Sequence, residues 1–330
     1  MSDRNSKRRR LFVLALVLVL IVTGGVATSF ARGRGETGPT RLNMGGGWVT
    51  GVYFPLAGAM SRIVHTEMEG ISLTVESSGA SVVNSNLIRS GDLDLAIVQN
   101  DVASYAYAGR NAFDGNRVEN MRGLFSLYPE PVQLVARADA GISSPSDLRG
   151  KRVAVGPLGS GAEVNALQVL EAAGLSESDL AAAERLDAGE AADYLRDGRI
   201  DAAFFTVAIG AAVISDLAVS QNIRIVPITG SYADRLKAME DFYASVTIPA
   251  NTYTNVPEAQ TVAVVSIVVG QASLSDSLVY DFITAVFDNI NVIHSAHASG
   301  RMVTLDTALD GMPIPLHPGA ERFFSEKGMR

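Results

Sequence analysis

A faint internal duplication constrains this chain more than any other feature of its sequence. The first copy opens on the strand pattern Arg41-Leu42-Asn43-Met44 and passes through Gly45-Gly46-Gly47-Trp48-Val49-Thr50-Gly51. It then enters a helical pattern with Leu56, Met60, Ile63 and Val64 on one face. The second copy opens on Arg152-Val153-Ala154-Val155, passes through Gly156-Pro157-Leu158-Gly159-Ser160-Gly161, and enters a helix carrying Val164, Leu167 and Leu170. A later pair of segments repeats the relation. Arg89-Ser90-Gly91-Asp92-Leu93-Asp94-Leu95-Ala96-Ile97 parallels Arg196-Asp197-Gly198-Arg199-Ile200-Asp201-Ala202-Ala203-Phe204, each reading as helix end, glycine stop and strand. The two matches stand at offsets of 111 and 107 residues. Two matches at nearly one offset point to two α/β lobes of similar construction.

The connections follow from the strand patterns. Val132 to Arg137 leads out of the first copy, and Gln260 to Val268 is a strong strand able to return after the second. Leu274 to about Arg330 reads as mainly helical. The expected division is 41–131 with 260–330 as lobe 1 and 132–259 as lobe 2. Two crossings between two lobes make a hinge, and a hinge makes a closable cleft.

Export accounts for the N-terminus. Arg4, Lys7, Arg8, Arg9 and Arg10 precede the apolar run Leu11 to Val22, and Ser29-Phe30-Ala31 has the small-x-small form of a cleavage site. Residues 1–31 read as a signal peptide, and the same stretch is long enough to remain as an uncleaved anchor. Arg9-Arg10-Leu11-Phe12 also resembles a twin-arginine signal. Residues 32–40 form a Gly-rich linker. The first 34 residues hold seven Lys/Arg and one Asp, so the rest of the chain carries 20 basic and 34 acidic residues. That acidic body is expected to be soluble and to bind no nucleic acid. The absence of cysteine excludes disulfides, a Cys-held metal and a thiol nucleophile. His294 and His297 lie one turn apart without a third ligand nearby, so no metal and no cofactor is expected.

The cleft is expected to take an anion. Both glycine loops lie beyond strand ends, where α/β sheets place ligands, and each runs into a helix start with free N–H groups and partial positive charge. The loop 156–161 lacks the Lys-Ser/Thr pair of a phosphate loop and the spacing of a dinucleotide loop, which leaves a carboxylate as the better fit. Thr50, Tyr53 and Ser160 supply hydroxyls beside the loops. Glu76 to Val82 follows a strand and precedes a helix; Ser81 reads as its N-cap, leaving Ser78 and Gly79 freer for ligand. Gln99 ends a strand, where its amide can make one specific hydrogen bond. Arg137 is read as a surface charge at the hinge, with a reach to the ligand as the other option. No Gly-x-Ser-x-Gly elbow is present and no His lies near either glycine loop in sequence, so catalysis is not expected.

These segments resemble the TAXI family, the solute-binding proteins of one class of TRAP transporters. The resemblance rests on Gly47 to Pro55, Ser78 to Asn84, Asp92 to Gln99, Leu124 to Pro131, Leu148 to Val153, Gly156 to Gly161 and Pro315 to Ala320, in that order and spacing. It implies a two-lobed type II periplasmic-binding-protein fold with a hinged cleft. It also implies a periplasmic, monomeric receptor that hands a glutamate-like amino acid or small dicarboxylate to a TRAP-type membrane permease. By likeness the ligand touches Gly47, Thr50, Gly51 and Tyr53, then Ser78, Gly79, Ala80 and Ser81. Gln99, Tyr128, Ser160 and Gly161 are further candidates, and Phe205 and Thr206 close over it. Trp48 departs from the smaller first loop of many relatives, and would narrow the site or stack on the ligand. The alternatives are a membrane-anchored sensory binding protein and a periplasmic enzyme on the same fold.

Overall fold

Alternating strand and helix patterns become a βα succession in the computed structural model, which describes residues 40–49 and 51–329. The expected leader over 1–31, all of the linker but Thr40, and Thr50 lie outside the described residues. The first half contributes β1 (Thr40–Gly45), α1 (Tyr53–Glu67), β2 (Ile71–Glu76), α2 (Ser81–Ser90), β3 (Leu95–Gln99) and α3 (Asn100–Ala108). A long strand, β4 (Met121–Arg137), leads onward. The second half contributes β5 (Arg152–Ala154), α4 (Gly161–Ala172), β6 (Ala182–Glu184), α5 (Ala188–Arg196) and β7 (Ala202–Thr206). It continues with α6 (Ala212–Ser220), β8 (Ile223–Val226), α7 (Ser231–Met239) and β9 (Ala244–Ile248). A second long strand, β10 (Ala259–Gln271), returns the chain to α8 (Asp276–Asp288), α9 (Ile290–Ala296) and α10 (Pro318–Glu326).

The duplication is visible in strand order. One sheet runs β2-β1-β3-β10 and the other β6-β5-β7-β4. β1 is parallel to β3, and β5 is parallel to both β6 and β7. In each case an antiparallel long strand then covers the third strand: β10 on β3, and β4 on β7. β4 and β10 also pair with each other from Ala263↔Pro131 to Gln271↔Met121, so the two sheets share a two-stranded spine. The described residues from 41 onward form one unit on that spine.

Each half has its own apolar core. Leu56, Met60, Ile63 and Val64 of α1 are buried, as the one-face pattern requires, and pack with Phe125, Phe282 and Phe324. In the second half Val153, Ala166, Val169 and Leu170 pack with Val132 and Leu134 of β4. Helix ends follow local chemistry. Ser160 caps α4 and Asp187 caps α5, each accepting the N–H three residues on. Gly91 and Gly109, both at positive φ, end α2 and α3.

Two expectations change. The exit strand is 17 residues long rather than the six of Val132–Arg137, because its first part carries Pro129 and Pro131, which weaken a strand signal. Ser81 is the first residue of α2, not its N-cap; Ala80 takes that position at φ 64°, and the Ser81 hydroxyl instead accepts the N–H of Gln99 at 3.1 Å.

Candidate functional site

The glycine loops meet. The Val82 N–H at the start of α2 donates to the Gly159 carbonyl in the second-half loop at 3.1 Å. Between them lies a cavity of about 70 Å³. Gly47, Trp48, Gly51, Tyr53, Ala80, Ser81, Gln99, Tyr128, Ser160, Gly161 and Thr206 of the expected contacts line it. Ser78, Gly79 and Phe205 do not. Ser78 holds the loops together instead, accepting the N–H groups of Gly47 and Ala80 and donating to Asn84. Gly79 packs beside Val83, and Phe205 lies in the second-half core. Arg137 pairs with Asp139 at 2.8 Å.

Three helices begin at the cavity: α1 at Tyr53, α2 at Ser81 and α4 at Gly161. Their first turns present N–H groups and the positive ends of the helix dipoles. Loop geometry makes this possible in the second half. Gly156 stands at φ 94°, and a Cβ there would lie 2.9 Å from the Glu163 nitrogen. Glu163 fixes the loop by accepting the Gly159 N–H at 2.7 Å and pairing with Arg185 at 2.8 Å. Gly161 lies so close to Gln99 that a Cβ would fall 1.8 Å from its Oε1.

The strongest polar feature escaped the sequence. Glu130 is 3% exposed and lines the cavity. The Tyr53 hydroxyl donates to its Oε2 at 2.7 Å and the Tyr128 hydroxyl to its Oε1 at 3.0 Å. Among the described residues, no Lys, Arg or His lines the cavity. Burial, with two phenol donors only partly offsetting it, pushes Glu130 up to about 8. Burial and the neighbouring Glu130 hold both phenols above their ordinary range. The signal available was a lone acid between Pro129 and Pro131 in an apolar run, within a segment that bears on the sequence reading only through the family resemblance. Val52, Ala162 and Val207 also line the cavity without having been anticipated. Gln99 Oε1 and Thr206 Oγ1 are buried without hydrogen-bond partners among the described residues. Both are groups of the kind a bound molecule satisfies.

A polar seam beside the cavity joins the halves. Asp101 of α3 accepts from Asn165 of α4 at 2.7 Å, and Asn165 also reaches the Tyr243 hydroxyl at 3.0 Å. Gln168 donates to the Tyr105 hydroxyl at 2.6 Å, and Arg110 pairs with Glu240 at 3.3 Å. Burial pushes Asp101 up to about 7 from an ordinary 3.8. Between those values the folded protein holds more protons than the unfolded chain, so this group's contribution to stability falls as pH rises through that window. Asp101→Asn is therefore expected to raise stability at pH 8 by about 2 kcal/mol and to add nothing at pH 4. The unpartnered Asn165 Oδ1 is available to the new amide. Melting curves at the two pH values check this, and an equal shift at both would reject it.

Comparison with known proteins adds the following. A family model described as the NMT1-like family matches residues 44–328. Among solved structures, the alkanesulfonate-binding protein SsuA from Xanthomonas axonopodis pv. citri, bound to MOPS, is similar at 17% identity and TM-score 0.51, covering 87% of this chain and 84% of that one. A protein from Bordetella bronchiseptica RB50 is similar at 17% identity and TM-score 0.52, covering 88% and 82%. A Xanthomonas citri protein bound to ATP gives 13% identity and TM-score 0.51, covering 87% and 95%. At these identities the likeness concerns the fold: two α/β lobes, as in the periplasmic binding proteins. Among the described residues, no helix is long and apolar enough to cross a membrane.

Proposed function

The chain belongs to the NMT1-like family, and from that premise we propose that it is an extracytoplasmic solute receptor of the TAXI type, delivering a small carboxylate to a TRAP-type membrane permease. The ligand is a glutamate-like amino acid or a small dicarboxylate, held between the halves 41–131 with 260–330 and 132–259. One observation carries the reading. Three helix starts converge on a cavity that both halves close and that, among the described residues, no basic side chain lines. Such a site stabilises an anion through backbone N–H groups alone. A cavity of about 70 Å³ suits a small molecule rather than a nucleotide. The unpartnered Gln99 and Thr206 oxygens supply orientation.

Binding is the role the polar groups favour over catalysis. Ser160 is engaged as a helix cap, and Glu130 is held between two phenols with no nucleophile bonded to it. Titration calorimetry and thermal shift against glutamate, glutamine, 2-oxoglutarate, succinate and malate test the reading. Micromolar or tighter binding of at least one, with a raised melting temperature, is expected. No heat and no shift with any of them would reject the carboxylate assignment.

A further inference from the structure

Glu130 poses a problem that the carboxylate reading does not solve by itself: an acid with no cationic partner among the described residues lines a cavity read as an anion site. We propose that Tyr53, Glu130 and Tyr128 form a proton-loaded recognition element, in which a carboxylate ligand binds together with one proton taken up by Glu130. The inference rests on the carboxylate reading above.

The hydrogen-bond count drives it. With Glu130 ionised, both phenol hydrogens point at its oxygens, at 2.7 and 3.0 Å, and neither is free for a ligand. The ionised group also repels an incoming carboxylate. When a solvent proton adds to one Glu130 oxygen, the new O–H donates to one phenol oxygen. That phenol's own hydrogen then turns into the cavity, while the other phenol still donates to the remaining Glu130 oxygen. Charge repulsion is removed and one donor is gained. Tyr53, 8% exposed against 1% for Tyr128, is the better placed to turn.

The surroundings agree. Burial already pushes Glu130 up to about 8, so the proton is present near neutrality and lost above it. The other acid acting on it is Asp101 of α3, whose charge raises it further; the Gln99 amide, like the two phenols, favours the ionised form and only partly offsets burial, and both phenols stay protonated across this range. A bound carboxylate adds a further negative charge and holds the proton more firmly.

The experiment is calorimetry with succinate and 2-oxoglutarate, neither of which titrates between pH 7 and 9.5. In the wild-type protein Kd is expected to be flat from pH 6 to 7 and to rise above pH 8 toward about tenfold per pH unit. At pH 9, heats in two buffers of different ionisation enthalpy should show uptake approaching one proton per ligand. Glu130→Gln keeps a donor and an acceptor in place of the protonated acid. It should bind within threefold of wild type at pH 7 and lose both the pH slope and the proton uptake. Asp101→Asn should keep the slope above pH 8, which separates the seam acid from Glu130. A wild-type protein that binds these ligands with no proton uptake and flat affinity overturns the proposal and leaves the carboxylate reading standing. A Glu130→Gln variant that folds but binds tenfold or more weakly at pH 7 overturns it too, since Glu130 would then act as an anion. If none of glutamate, glutamine, 2-oxoglutarate, succinate and malate binds, both readings fall together.

Discussion

Gly161→Val is expected to weaken binding of a small carboxylate at least 100-fold, about 3 kcal/mol, while the protein stays folded. A Cβ at this position would lie 1.8 Å from Gln99 Oε1 and 2.2 Å from its Cδ. Gln99 ends β3 in the first half and Gly161 begins α4 in the second, so the added atoms fall where the halves meet. Gln99 lines the cavity, and at about 70 Å³ the cavity has little room for both a displaced Gln99 side chain and a ligand. Either the halves stay apart or the ligand loses its space. Stability is expected to fall by about 1–3 kcal/mol, the cost of overpacking a close contact, without loss of the fold. The check is calorimetry with whichever of the five carboxylates the wild type binds, beside a melting curve. Wild-type affinity in a folded Gly161→Val protein would remove this cavity from ligand binding.

The largest expected loss of stability comes from Phe125→Ala, at about 3–5 kcal/mol and a fall in melting temperature of roughly 10 °C. Phe125 is fully buried in β4. Its ring meets Phe287 edge-on at 5.3 Å between centroids and lies 6.3 Å from Phe282. Phe287 in turn stacks on Phe323 at 5.8 Å, and Phe323 meets Phe324 at 5.2 Å. Removing Phe125 leaves a ring-sized void at the foot of a stack that fastens α8 and α10 to the long strand. The void cannot collapse easily, because β4 is held by β10 along this stretch. Calorimetric melting of the variant measures the loss. A fall of less than 3 °C would mean that the helices close over the gap.

Much of the architecture was legible because it is periodic. The one-face apolar pattern of α1, the glycine stops before β3 and β7, and the repeat that relates them are local features, and the fold honours each. The same repeat placed the two glycine loops, and most of the contacts that the family resemblance implies there line one cavity. What stayed hidden depends on long-range neighbours. Glu130 is an ordinary acid in sequence; it becomes unusual only when Tyr53, 77 positions away, is brought against it. Asp101 carries no signal of its own in sequence, yet it stands in the first turn of α3 and is buried against Asn165. Ser81 has the residue type of a cap but sits one position inside its helix, its hydroxyl turned to β3. β6 is three residues long, too short to carry an alternation of its own.

The shared spine has a consequence for how the chain tolerates being cut. The outer edge of β3 is covered by β10, which arrives only after the whole second half has been made. The outer edge of β7 is covered by β4, which belongs to the stretch before it. A fragment ending before residue 259 would therefore leave β3 with a row of unpaired N–H and C=O groups, in a strand buried along its entire length. An open apolar edge of that kind recruits strands from other molecules. Each repeat thus closes its sheet with a strand lying outside it, and truncation between the two long strands would turn the first repeat from a folding unit into a template for aggregation.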